Sequence, residues 1–157
     1  MMEITLRKPV IKKLAVLAAL VILSLLAFSL NAVAVTTDQN IDVTFLKADG
    51  SGTSMADAAV NGDASYSIND QTLTIPLKPI QVGPITGYVT GITVQLAGGP
   101  VTVSTAQTAP YTATTVSIPI PSGEVQDQAQ FDVTFDIYMS TGSHGTADAI
   151  MNFDFVN

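Results

Sequence analysis

The chain has 157 residues, no cysteine and one histidine, and thirteen acidic residues against six basic ones give it a net charge of −7. Four of the basic residues lie in the first 13 positions, so residues 35–157 keep two lysines against twelve acids, a net charge of −10. This balance excludes nucleic-acid binding and disfavours anionic lipid surfaces, and the lack of cysteine excludes disulfides and cysteine-type zinc sites.

Residues 1–34 are predicted to form a signal peptide or an N-terminal membrane anchor helix. The basic stretch "MMEITLRKPVIKK" precedes an unbroken apolar run over residues 14–30. Ala32 and Ala34 then occupy the small-residue positions of a signal-peptidase site. The apolar run is also long enough to span a bilayer if it is retained. In both cases the basic residues stay in the cytoplasm, and residues 35–157 are expected to be secreted or attached to the cell envelope through this segment.

Residues 35–157 are predicted to form one all-β domain, an antiparallel immunoglobulin-like β-sandwich of seven or eight strands. Apolar and polar residues alternate with a period of two, which is typical of strands with one buried face. The clearest runs are "IDVTF" (41–45), "TLTIPL" (72–77), "GITVQL" (91–96), "VSIPI" (116–120), "FDVTFDIYM" (131–139) and "ADAIMNFDF" (147–155). Short strands separated by turn residues favour a sandwich.

One segment between the first two strands is predicted to form a short 3₁₀ or α-helical turn. The sequence "TSMADAA" offers Thr53 or Ser54 as the N-cap. Asp57 follows in the first turn, where its charge favours the positive end of the helix dipole.

An enzyme is not expected. His144 and Asp148 are formal partners for a serine nucleophile, but the chain contains no G-x-S-x-G motif. Asp132 and Asp136 lie about 13 Å apart on one strand face, too far to share acid–base chemistry.

Calcium binding has a weak signal in "KADGSGTS". Asp49, Ser51 and Thr53 stand at alternate positions, but the closing bidentate glutamate of an EF-hand is missing. Because Asp-Gly commonly marks turns, the pattern favours a glycine-rich turn at the end of a strand.

The order of these features resembles the NEAT (near-iron-transporter) domain family. The segment "IDVTFLKADGSGTSMADAAVNGDASYSINDQTLTIPLKPI" is similar to the start of such a domain, and "ADAIMNFD" is similar to its last strand. The resemblance covers roughly residues 41–80 and 131–155. It implies a β-sandwich on a bacterial, usually Gram-positive, surface, where many members bind haem between the "SM" turn and the final hairpin.

The resemblance also implies site residues. Ser54 and Met55 match the turn residues that contact the porphyrin. The family's haem-binding members carry Tyr-x-x-x-Tyr before the last strand, and those positions here hold Ser143 and Ala147, so the tyrosine motif is missing. His144 lies next to the ligand position and is the candidate iron ligand. Alternation nevertheless places His144 on the outward face of its strand, as it does Tyr138.

The predicted function is therefore an exported, surface-located ligand-binding module that takes haem, or receives it from a haem-carrying protein, in iron acquisition. The alternative is an adhesion or structural surface module on the same fold that binds no haem. Membrane contact is expected only through the N-terminal segment.

Overall fold

The computed structural model describes residues 35–105 and 115–156, which belong to one compact unit. The predicted signal or anchor segment, residues 1–34, lies outside the described residues. Within the described ranges, no helix is long and apolar enough to cross a bilayer. Nine strands and one 3₁₀ turn are present there. The strands are β1 Gln39–Lys47, β2 Ala64–Ser67, β3 Thr72–Pro76, β4 Ile80–Val82, β5 Ile85–Leu96, β6 Gly99–Ser104, β7 Thr115–Pro119, β8 Gln130–Met139 and β9 His144–Phe155, and the 3₁₀ turn is Met55–Ala59.

The strands form one antiparallel sheet that curls into a sandwich. Its order is β4-β5-β8-β9-β1-β2-β3-β7, with β6 paired to β5 along the edge that β4 also uses. Strands β6 and β7 contact each other, so the sheet closes over an apolar interior. The predicted all-β antiparallel sandwich is confirmed. The structure has one or two strands more than the predicted seven or eight, and the shortest, β4, has three residues, too few to show an alternation.

The interior is filled by the apolar residues of alternate strand positions, as the period of two requires. Phe45 and Phe135 are fully buried and meet edge to face, with ring centroids 4.8 Å apart. Tyr66 is also buried, and its hydroxyl donates a hydrogen bond to the carbonyl oxygen of Ile120 at 2.9 Å. That bond satisfies a polar group that would otherwise be costly to bury.

Strands β8 and β9 form a hairpin that extends beyond the end of β1, whereas β5 accompanies β8 as far as Met139. Their pairing ends with Tyr138 opposite His144, and the turn closes with the amide of Met139 donating to the carbonyl of Ser143 at 2.8 Å. Gly142 takes the left-handed conformation (φ 89°) that this turn needs. Strand β1 stops at Lys47, opposite Ala149, so β9 continues past its neighbour. We call residues 137–147 the hairpin end.

Candidate functional site

The 3₁₀ turn is fastened to strand β1 by hydrogen bonds around one residue, Phe45. The amide of Ser54 donates to the Phe45 carbonyl at 2.7 Å, and the Phe45 amide donates to Oδ1 of Asp57 at 2.9 Å. Ser54 Oγ also accepts a hydrogen bond from the Ala56 amide at 3.2 Å. Ser54 is thus the N-cap, one of the two residues that the sequence offers for that place. We call the two hydrogen bonds between Phe45 and the turn the clamp. They fix the position of the turn on the sandwich.

The turn buries its small residues and exposes its large one. Ala56 and Ala59 are buried in the core, whereas Met55 is 63% exposed, the highest value among the exposed large apolar side chains. A clamped turn cannot easily rotate Met55 into the core, because the alanines already fill that space. Met55 is therefore held in solvent by the fold.

The position of the turn follows from its neighbours. It contacts both β1 and β4, which are separated in the sheet order by β9, β8 and β5. The loop before the turn is hydrogen-bonded to the end of β1, and the last residue of the turn is hydrogen-bonded to the segment that leads into β4. The inner face of the hairpin end carries half-buried apolar residues, Ile137, Met139 and Ala147. We call the 3₁₀ turn and this inner face together the hairpin groove.

Both lysines of residues 35–157 border the 3₁₀ turn. Lys47 is the last residue of β1, and its amide donates to the carbonyl of Gly52 at 2.8 Å in the loop that leads to the turn. The amide of Lys78 donates to the carbonyl of Ala59, the last residue of the turn, at 2.7 Å. Both side chains are exposed. The backbones of both lysines are thus hydrogen-bonded to segments at the two ends of the turn.

His144 lies on the other face of the hairpin end. It is the first residue of β9, it is exposed, and its ring centroid lies 5.0 Å from that of Tyr138 on the neighbouring strand. The structure therefore agrees with the outward orientation that alternation predicts for both residues. Ser54 and Met55 are brought together on the turn, but His144 is not brought to them on the inner side of the sheet.

The other sequence candidates form no site. Asp148 lies four residues from His144 on the same strand, about 13 Å away, and its Oδ1 accepts a hydrogen bond from Thr134. Oδ1 of Asp49 accepts the Ser51 amide at 2.9 Å, and this backbone N–H is the main cause that lowers the pKa of Asp49. The "KADGSGTS" loop is thus a hydrogen-bonded turn. Nowhere in the described ranges do three histidine or acidic residues cluster as metal ligands would.

Sequence reasoning missed a cleft on the outer face of the hairpin end. It has a volume of about 520 Å³ and is lined by Thr90, Asp136, His144, Gly145 and Thr146. Alternation places residues on a face, but only the strand pairing shows which residues of different strands are neighbours. The residue pattern of a single strand therefore does not predict this cleft.

No family model and no curated protein matches the chain. Among solved structures it is similar to the NEAT5 domain of IsdX2, a B. anthracis hemophore in complex with heme. The TM-score is 0.51 and the identity 16%, over 76% of this chain and 97% of that one. A mutant of the same IsdX2-NEAT5 domain, also in complex with heme, gives the same score and identity over 76% and 96%. The chain therefore has a NEAT-like fold.

Proposed function

We propose that residues 35–157 form a haem-binding module and that the porphyrin lies in the hairpin groove. The observation that carries this proposal is the position of the two lysines. A domain of net charge −10 repels anions over most of its surface, yet Lys47 and Lys78 both border the 3₁₀ turn. The two propionates of haem need cationic partners of this kind, since charge-assisted hydrogen bonds to carboxylates are the strong ones.

The apolar part of the groove supports the same ligand class. Met55 offers a flexible, polarisable thioether that makes favourable contacts with aromatic rings. Ile137, Met139 and Ala147 add half-buried apolar side chains on the inner side of the hairpin end. Ligand sites are commonly apolar walls with a few polar groups that fix orientation. A flat apolar ring with two acidic arms is complementary to this arrangement.

The likeness to haem-bound NEAT domains adds support from fold. Those domains carry haem, and this chain covers nearly the whole of the domain it is compared with. The 3₁₀ turn and the last hairpin are both present in this chain, and the lysines and Met55 are its own contribution.

Iron ligation is a separate part of the proposal. His144 is the chain's one imidazole and stays the predicted ligand. Its place on the outer face means that ligation requires the hairpin tip to turn the imidazole toward the groove. Contacts with the ring and ligation of the iron can therefore be tested independently.

The test is a titration of the full chain with hemin and, in parallel, with iron-free protoporphyrin IX. We expect saturable binding at a ratio of one to one, seen as a sharpened Soret band for hemin. Met55→Ala should weaken the binding of both ligands, because it removes ring contact. His144→Ala should weaken hemin binding alone. The matched control is Val156→Ala, which removes another exposed apolar side chain at the other end of β9.

The lysines are tested by charge. The double substitution of Lys47→Gln with Lys78→Gln should weaken hemin binding roughly fivefold, the effect of ~1 kcal/mol from two exposed ion pairs. Raised salt should weaken the unmodified chain toward the same affinity. A hemin spectrum that does not change, or binding insensitive to Met55 and to both lysines, would contradict the haem proposal and favour an adhesion or structural module.

Export to the cell surface is proposed with this function. The basic, apolar and small-residue order of residues 1–34 supports it. Mass spectrometry of the protein recovered outside the cytoplasm is the measurement. An N-terminus at Val35 indicates cleavage, an intact N-terminus in the membrane fraction indicates an anchor, and recovery of the chain only in the cytoplasm contradicts export.

A further inference from the structure

Three aromatic side chains stand in register across the outer face of the hairpin end. Strand pairing places Tyr88 of β5 opposite Tyr138 of β8, and Tyr138 opposite His144 of β9. Tyr88 alternates with the buried residues Gly87 and Val89, so it shares the outer face with the other two. Three adjacent strands span about 10 Å, and within this row the ring centroids of Tyr138 and His144 lie 5.0 Å apart.

A row of hydrogen-bonding side chains runs beside the aromatic row. Asp136 stands two residues before Tyr138 on β8, and Thr146 lies opposite Asp136 on β9. Thr90 completes the row at the irregularity of β5, where its Oγ1 donates to the backbone carbonyl of Asp136 at 3.1 Å. These three residues and His144 line the outer-face cleft of about 520 Å³.

The irregularity of β5 makes room for the carboxylate. The register shifts between Val89 and Gly91, and Gly91 lies opposite Asp136. A Cβ at Gly91 would lie only 2.8 Å from Oδ2 of Asp136. The missing side chain at this position thus lets the carboxylate lie over the strand and face the cleft.

We propose that the outer-face cleft binds a neutral saccharide. The C–H face of a sugar ring packs on Tyr138 and His144, whose rings are apolar on their faces and polar at their edges. The sugar hydroxyls donate to the Asp136 carboxylate and to the hydroxyl oxygen of Thr90, whose own proton is bonded to the Asp136 carbonyl, and the Thr146 hydroxyl can donate or accept. An apolar strip beside a polar strip matches a ligand with the same division.

The negative charge of the domain favours neutral saccharides over anionic ones. Asp136 and the net charge of −10 oppose an anionic saccharide. An organic cation satisfies the carboxylate and the rings, but it leaves both threonine hydroxyls without a ligand partner. A neutral polyol can contact both the aromatic row and the row of hydrogen-bonding side chains.

The saccharide site does not depend on the haem proposal. Tyr138 and Asp136 point outward, whereas Ile137 and Met139, the residues between and after them, face the hairpin groove. The two sites lie on opposite faces of one hairpin and share His144, the predicted iron ligand, so substitutions of Tyr138 and Asp136 test the saccharide site alone.

The experiment is an NMR titration of the ¹⁵N-labelled full chain, kept free of sugar-headed detergents. The probes are neutral tetrasaccharides of glucose, mannose, galactose and N-acetylglucosamine. We expect at least one to produce saturable shifts of the amides of residues 88, 136–138 and 144–146. Tetramethylammonium is the competing probe, and a saturable response at these amides to it alone overturns the saccharide proposal in favour of an organic cation.

The variants separate ring contact from hydrogen bonding. Tyr138→Ala should weaken binding roughly tenfold, which corresponds to about 1.4 kcal/mol, whereas Tyr138→Phe keeps the ring and should retain binding. Asp136→Asn, which leaves the core untouched, should weaken binding by removing the charged acceptor and gives the answer if Tyr138→Ala fails to fold. The control is Thr93→Ala, on the same face of β5 and hydrogen-bonded to Thr102 instead. No saturable shift with any tetrasaccharide, or an equal loss in Thr93→Ala, overturns the proposal. Hemin binding that is unchanged in Asp136→Asn separates this site from the groove.

Discussion

The two ends of the β8–β9 hairpin are built from the same strands but have opposite characters. In the half of β8 before Asp136, Phe131, Val133 and Phe135 alternate as buried residues against the core. In the half that follows, Ile137 and Met139 keep the same inward parity but are only half-buried. The alternation of residue types is therefore continuous, while burial is not. We call the first region the core end, in contrast to the hairpin end.

The difference shows which part of a strand is available for function. At the core end every inward side chain has neighbours on all sides, so its identity is determined by packing. At the hairpin end β1 has stopped, and the inward side chains Ile137 and Met139 are only half-buried. The fold thus leaves apolar surface open where a ligand can complete the packing.

The largest expected effect is at the core end. Phe135→Ala removes a fully buried ring that meets Phe45 edge to face, and we expect the free energy of unfolding to fall by about 3–5 kcal/mol. Met139→Ala, at the half-buried hairpin end, should cost less than half as much. Urea denaturation of both variants is the measurement. Equal losses of unfolding free energy in the two variants would mean that the hairpin end is packed as tightly as the core end. That result would contradict the difference between the two ends.

A smaller effect is expected where the turn is clamped. Asp57→Ala leaves the amide of Phe45 without its side-chain acceptor, and we expect the free energy of unfolding to fall by about 1–3 kcal/mol. The exposed Asp63→Ala is the control, expected within ~0.5 kcal/mol of the unmodified chain. Hemin affinity should fall in Asp57→Ala as well, because Met55 loses its fixed position. Full hemin affinity in this variant would show that the clamp is not needed for haem binding.

The buried tyrosine predicts an alkaline effect at the core. Burial raises the pKa of Tyr66 above its ordinary value of 10.0. The folded protein then holds this proton more tightly than the unfolded chain, so the stabilisation is complete below pH 10 and is lost as the pH rises above it. Tyr66→Phe should cost about 1 kcal/mol at neutral pH through the lost hydrogen bond to Ile120. Denaturation curves measured from pH 8 to pH 11 should show a smaller alkaline loss in Tyr66→Phe. The same loss in both proteins would assign the alkaline effect to other groups.

The smallest expected effect on stability is at Gly91. Gly91→Ala should change the free energy of unfolding by less than ~1 kcal/mol, because the carboxylate of Asp136 can rotate away from the new Cβ. It should still displace that carboxylate from the outer-face cleft and weaken saccharide binding. Gly123→Ala is the control, since a Cβ there has no neighbour within 4 Å and Gly123 does not line the outer-face cleft. Saccharide binding that is unaffected by Gly91→Ala would argue against a role for the position of Asp136.

The sequence predicts the core end better than the hairpin end. Alternation identifies β1, β3, β7, β8 and β9 because one face of each is buried, and Ser54 is recognisable as a cap because few residue types can accept an amide hydrogen bond there. The three residues of β4 carry no period. The alternating strands and the Ser54 cap depend on local chemistry, so the sequence of a single segment is enough to predict them.

The first half of β5 shows why the rest was not predicted. The irregularity between Val89 and Gly91 shifts the alternation by one residue, so Val89 and Ile92 are both buried and no single period joins them. The register that brings Tyr88 beside Tyr138 depends on that shift. The contact of the 3₁₀ turn with both β1 and β4 depends on the curl of the whole sheet. Contacts between distant segments cannot be predicted from the residue pattern of any one of them.

The most direct test of the central claim locates the porphyrin on the protein. Hemin broadens the NMR signals of amides near its paramagnetic iron, and diamagnetic zinc protoporphyrin serves as the control for binding alone. We predict selective broadening at residues 55–59 and on the inner side of the hairpin end, around Ile137 and Ala147, with the signals of the core end unaffected. Broadening centred elsewhere, or spread evenly over the chain, would contradict a haem site in the hairpin groove.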